Sequence, residues 1–238
     1  MKLITYNLYN IWNQMTVMAE KCGRNPQNIT LLAVSKNHSI TAIKEAVSVG
    51  QYSFGENYAQ EGVEKIKILD NPLLSWHFIG RVQSNKSRLV SEYFDWCHTV
   101  SCFRIAQLLN KYRSCDQKPI NVLIQINISY EETKAGILLE DLPELVRKIS
   151  YFPRLKLRGL MAIPKESKNN NSSLMEYQRL EKAFNQLKDD YPDVDTLSLG
   201  MSGDINDAII CGSTMLRIGT SIFGKRHQSD RELHLPGQ

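Results

Sequence analysis

Short apolar runs recur along this chain, separated by longer stretches in which apolar residues return every three or four positions, and this alternation constrains the fold more than any other feature. Strand-like runs are read at Ile29–Ser35, Gln51–Phe54, Trp76–Gly80, Phe94–Val100, Ile120–Ile128, Leu155–Ile163, Thr196–Leu199 and Met215–Ile218. Helical stretches fall between them at Thr41–Val49, Tyr58–Leu69, Ser84–Ser91, Phe103–Tyr112, Leu139–Ser150, Ser173–Asp189 and Asp204–Cys211. Ahead of the first strand, Ile4, Leu8, Ile11, Trp12, Met15 and Met18 mark one face of a further helix that ends near Cys22-Gly23. Eight strands alternating with helices in 238 residues match a (β/α)8 TIM barrel in count and length. A doubly wound open sheet is the alternative. The barrel is favoured because no GxGxxG follows the first strand and the notable polar residues gather after several strands. No compositional break marks a linker, so one domain over residues 1–238 is expected, with an N-terminal helix at 1–22 and a tail at 225–238.

Composition narrows the class. Charged residues are 23%, apolar residues 42% and the net charge only +4, as in an ordinary soluble chain. The basic stretches "RVQSNKSR" and "GKRH" read as a solvated loop and terminus rather than a nucleic-acid surface. Five cysteines show no CxxC or His-Cys metal spacing, and the N-terminus lacks a signal-like apolar core, so a reducing cytoplasm is the expected location. No apolar run reaches the roughly 20 residues of a membrane helix.

Period two assigns the inward residues. In "TMLRIGTSIFG", Met215, Arg217 and Gly219 share one side while Leu216 and Ile218 face the helices. Arg217 thus points into the barrel or its mouth, where a guanidinium requires a salt bridge, an acceptor or an anionic ligand. Gly219-Thr220 and the turn in "LGMSGD", with Ser202, follow strands eight and seven, the usual phosphate position of such barrels. Lys36 ends strand one on the same rim, on the face of Leu32 and Val34. It reads either as a solvated strand-end cation or as an amine that condenses with an aldehyde. An amine and a phosphate cradle on one rim suit pyridoxal 5'-phosphate; an aldolase acting on phosphorylated sugars would use the same parts.

The segments "LLAVSK", "FGENYAQEGVEK", "WHFIGRVQSNKSR", "NVLIQINIS", "KAGI", "RGLMAIP", "LSLGMSGD" and "STMLRIGTSIFG" together resemble the pyridoxal phosphate homeostasis protein family, from about residue 20 to Gly224. The resemblance implies a barrel similar to the N-terminal domain of bacterial alanine racemase, holding pyridoxal 5'-phosphate as an aldimine on Lys36. It further implies that Ser202, Gly219 and Thr220 bind the phosphate, that Arg217 lies near the pyridine nitrogen, and that Asn57, His77 and Met161 line the pocket. Many relatives read Gly-Pro-Leu where this chain has Gly80-Arg81-Val82, and carry a lysine or arginine at His38. A guanidinium beside the ring nitrogen disfavours its protonation and weakens the ring as an electron sink. Alanine racemase also draws a second base from a partner subunit bearing a C-terminal domain, for which this chain is expected to have no room. The expected role is therefore to hold, buffer or deliver the cofactor without robust catalysis. Other B6 vitamers and transient contact with PLP-dependent apo-enzymes are the expected partners, and the protein is expected to be a monomer. The alternative is an amino-acid racemase using Tyr58, Tyr130 or Cys211 as second base. Cys97-His98 is discounted as a nucleophile pair because strand neighbours face opposite ways, and the Arg154, Lys156 and Arg158 alternation is placed at the strand entrance or the solvent side, with no function assigned. The polar run "KESKNNNSS" at 165–173 is read as a mobile loop.

Overall fold

The computed structural model describes residues 3–131, 133–164 and 170–224. Eight strands, β1 (Thr30–Val34), β2 (Ser53–Glu56), β3 (Ser75–Phe78), β4 (Trp96–Val100), β5 (Ile120–Ile126), β6 (Leu155–Ala162), β7 (Thr196–Ser198) and β8 (Met215–Ile218), form a closed parallel barrel in chain order. The ring shuts where β1 pairs with β8, from Thr30 opposite Met215 to Ala33 opposite Ile218. Helices α1 (Leu3–Lys21), α2 (Ile40–Val47), α3 (Ala59–Leu69), α4 (Ser87–Tyr93), α5 (Phe103–Tyr112), α6 (Leu142–Ile149), α7 (Asn170–Asp190), α8 (Ile205–Ile210) and α9 (Thr220–Phe223) accompany them, with short 3-10 turns at Pro26–Asn28 and Leu139–Asp141.

Two apolar layers follow from the alternation of strand side chains. Leu31, Ala33, Val122, Ile124, Leu160, Leu216 and Ile218 join the large cluster packed beneath the helices. Leu32, Leu123, Met161 and Met215 are equally buried yet stand apart from that cluster, inside the barrel. Cys97 belongs to the outer layer and His98 to the interior, as expected of strand neighbours. Burial raises the Cys97 thiol pKa to about 11, so it stays protonated at neutral pH. Lys156 and Arg158 pair with Asp193 and Asp195 at the strand entrances, where the charge alternation was placed.

Helix α1 buries Leu8, Ile11, Met15 and Ala19 at three- and four-residue steps and packs on α2, α8 and α9. Just beyond it, Arg24 donates to the carbonyls of Ile209, Gly212 and Ser213, at and just past the end of α8, and so ties α1 to the turn that leads into β8.

Several boundaries differ from expectation for local reasons. Strand β2 starts two residues late because Gln51 Nε2 donates to Leu31 O and Ser53 O, holding the chain in a turn before it pairs. Helix α4 starts at Ser87 rather than Ser84, since the Ser87 hydroxyl donates to Ser84 O and closes a turn there. A 3-10 turn at Leu139–Asp141 precedes α6, whose Pro143 occupies the first turn. Residues 170–173 belong to α7 and not to the loop expected over 165–173; 165–169, like the tail at 225–238, lie outside the described residues.

Candidate functional site

The C-terminal ends of the strands carry the site. Strand β1 stops at Val34, and the Ser35 N–H donates to Gly55 O, so Lys36 sits in the turn beyond the strand rather than at its end. Asn37 follows in the left-handed region at φ +59. This turn is pinned from behind by a buried ionic cluster. Lys65 Nζ of α3 donates to Ser35 O (2.7 Å), Glu56 Oε1 (2.8 Å) and Glu61 Oε1 (2.6 Å). The Ser35 hydroxyl donates to Glu56 Oε1 at 2.6 Å, and the Asn37 N–H to Glu61 Oε1 at 2.6 Å. Burial raises the Glu56 pKa to about 7, with Lys65 opposing and Glu61 adding to the shift.

After β2 comes Asn57, whose Oδ1 is buried without a hydrogen-bond partner. Its backbone is crossed at close range by Gly80: a Cβ there would lie 2.0 Å from Asn57 O. Only glycine permits the loops after β2 and β3 to approach so closely.

The interior beneath this rim is polar. Arg217 Nη1 donates to Ser198 O and Ser198 Oγ, both at 2.7 Å, and Nη2 to Ala162 O at 2.9 Å. Among the described residues it has no carboxylate partner, and burial lowers its pKa to about 10, leaving it charged at neutral pH. Because a guanidinium only donates, Ser198 Oγ accepts from Arg217, and it also lies 3.4 Å from His98 Nδ1. His98 Nε2 meets His77 Nδ1 at 2.9 Å and His77 Nε2 meets Ser75 Oγ at 3.1 Å, so the two rings share one tautomer, with the proton on Nε2 of both or on Nδ1 of both. Both rings are neutral in this scheme, in keeping with burial, which lowers His77 to about 3 and His98 well below its ordinary value. Met161 is buried in the same interior.

Two turns close the rim. After β7, Gly200 at φ +90 lets the chain reverse, and Asp204 fixes the turn by accepting from Met201 N–H at 2.5 Å and from the Tyr177 hydroxyl. Ser202 stands exposed on it. After β8, Gly219 precedes α9, and exposed Thr220 opens that helix. His38, one of the departures noted in the sequence, stacks on Phe223 of α9 with ring centroids 4.8 Å apart. The order of the ring thus sets side by side the turns after β7 and β8, the Lys36 amine after β1 and the Asn57 acceptor after β2.

The alanine racemase N-terminal domain model matches residues 6–227. A pyridoxal phosphate homeostasis protein of Escherichia coli K12 is 52% identical over 231 residues, covering 96% of this chain and 99% of the relative. The chain belongs to the pyridoxal phosphate homeostasis protein family. Among solved structures, PipY of Synechococcus elongatus PCC7942, with PLP bound, is 31% identical with a TM-score of 0.80, over 93% of this chain and 100% of that one. Alanine racemase of Clostridium difficile 630 shares the fold alone, at 15% identity and a TM-score of 0.74 over 58% of its length.

The residues present fit a phosphate-bearing aldehyde of this kind. An orphaned buried acceptor at Asn57 and a cation without a carboxylate at Arg217 are groups that such a ligand satisfies, and Lys36 brings an amine to the strand next to the turns after β7 and β8. Sequence reasoning found the rim residues but missed Ser35, Glu56, Glu61 and Lys65 behind Lys36, and Ser198 behind Arg217. No cluster of metal-ligating side chains occurs among the described residues. None of their helices is long and apolar enough to cross a membrane.

Proposed function

We propose that the protein binds pyridoxal 5'-phosphate through Lys36 and acts in homeostasis of that cofactor, holding, buffering or delivering it rather than turning over a substrate. The observation that carries this is the contiguity of amine, acceptor and anion-binding turns on four successive strands, β7, β8, β1 and β2. Ser202, Gly219 and Thr220 would hold the phosphate by hydroxyl and backbone N–H groups, and Asn57 and Met161 would line the cavity. When bound, the cofactor would supply an aldehyde, and the side-chain amine of Lys36 would be the group that holds it there. Arg217, held as a permanent donor by Ser198 and Ala162, would keep a facing ring nitrogen unprotonated, and His77 and Ser75 extend that support.

The low catalytic expectation is supported by the surroundings of the three residues that could serve as a racemase's second base. Cys211 packs in the helix layer with its thiol pKa raised to about 11 by burial. The Tyr130 hydroxyl is tied to Glu140 and Arg179, and Tyr58 is exposed at the start of α3. Other B6 vitamers bearing the phosphate suit the same turns, delivery would require brief contact with apo-enzymes, and a cytoplasmic monomer is the form we propose. Borohydride reduction followed by peptide mapping tests the reading: a pyridoxyl label on Lys36, lost in Lys36→Arg, is expected. A yellow, equally loaded Lys36→Arg protein overturns it. Exchange of amino-acid α-protons in deuterated water at enzyme-like rates would overturn the non-catalytic part.

A further inference from the structure

The motif "FGENYAQEGVEK" supplies Asn57 to the rim, yet it also buries three ionisable side chains that binding does not employ: Glu56, Glu61 and Lys65 are each at most 6% exposed. Such a cluster is costly to bury, and hydrophobic residues of similar size would serve stability at least as well. Its hydrogen bonds show where it acts. Lys65 and Glu61 reach past their own helix to the backbone on both sides of one residue, Ser35 O before it and Asn37 N–H after it. Ser35 is gripped a second time through its hydroxyl by Glu56. That residue is Lys36. We infer that Glu56, Glu61 and Lys65 are positioning residues that hold the Lys36 backbone at the height and orientation from which its amine meets the cofactor aldehyde.

This rests on the reading of Lys36 as the attachment point. A lysine on a four-carbon stem gains attack geometry only if its Cα is fixed, and the turn that carries it includes a left-handed non-glycine residue that would relax if released. The charged groups acting on Glu56 are Lys65 and Glu61, both on α3, so the three form one unit joining α3 to the end of β1.

Lys65→Met keeps the stem and removes the donor. In the cofactor-free protein, amide exchange at Asn37 should accelerate about tenfold or more. Borohydride-trapped label at Lys36 should form about tenfold or more slowly. Affinity for pyridoxine 5'-phosphate, which carries an alcohol in place of the aldehyde and needs no amine, should stay within about twofold, because the phosphate turns after β7 and β8 are untouched. A merely structural role would weaken both kinds of binding in parallel. Parallel loss, or an unchanged labelling rate and unchanged exchange, overturns the inference. Glu61→Gln, which keeps volume and removes charge, should show the same pattern at smaller size and serves if Lys65→Met does not fold. Absence of label at Lys36 in the unaltered protein would overturn the functional reading together with this one, whereas normal labelling in both proteins overturns this one alone.

Discussion

At the scale of single residues, hydrogen-bond direction is the property that the interior controls. Because Arg217 can only donate, Ser198 Oγ accepts from it, and the chain from Ser198 through His98 and His77 to Ser75 couples the two rings so that the tautomer of one sets that of the other. Nitrogen-15 spectra should therefore show His77 and His98 both neutral with the proton on the same nitrogen of each ring, and neither titrating between pH 5 and 8, a range chosen about the ordinary histidine value. Ser198→Ala removes an acceptor of a buried guanidinium and should cost about 1–3 kcal/mol in chemical denaturation. Period-two parity made Arg217 legible in the sequence, since it falls on the inward face of a short apolar run, whereas Lys36 was marked by following such a run and lies in the turn past its end. Glu56, Glu61 and Lys65 were not legible, because charged residues on a helix and at a strand end ordinarily face water. The signal that could have found them is the Glu61–Lys65 spacing astride Gly62, a mid-helix glycine whose Cβ would lie 2.4 Å from the Phe94 ring. His98 was weighed only against Cys97, and its true partner, His77, comes from the neighbouring strand.

At the scale of elements, the fold was legible in nearly every part. All eight strands and the helices between them fall where the alternation of periods places them, and α5 spans the residues expected, Phe103–Tyr112. What escaped were the ends, because Gln51, Ser87 and Pro143 act through side-chain bonds and ring geometry that periodicity does not register. The loops at the mouth depend on two glycines for different reasons. Gly80→Ala would drive a methyl into Asn57 O, parting the turns after β2 and β3. Gly200→Ala would strain a left-handed position and press on Ala208 and Leu216. Each should lower stability by about 1–3 kcal/mol in thermal or denaturant unfolding. Binding of pyridoxine 5'-phosphate should fall more for Gly200→Ala, whose turn bears Ser202.

At the scale of the whole molecule, buried titratable groups give stability a pH dependence whose sign can be worked out. His77 and His98 have folded pKa values below their ordinary one, so the unfolded chain takes up their protons first. Their contribution is present above about pH 6.5 and is lost as pH falls toward the folded value. Glu56, raised to about 7, does the opposite: its contribution is present below about pH 4.5 and is lost as pH rises through 7. Between those limits two histidines oppose one carboxyl, so stability should fall on acidification from pH 6.5 to 5, by about 1.4 kcal/mol per pH unit for each net proton. Glu56→Gln removes the opposing group and should steepen that fall, as scanning calorimetry across the range would read.

The pairing of β1 with β8 also governs how the chain is made. The first strand to leave the ribosome must wait for the last before its outer edge has a neighbour. Until then the nascent chain offers a row of unsatisfied peptide groups along Thr30–Val34, next to the turn that carries Lys36, and a stall late in translation would leave an open, sticky sheet in place of a closed ring.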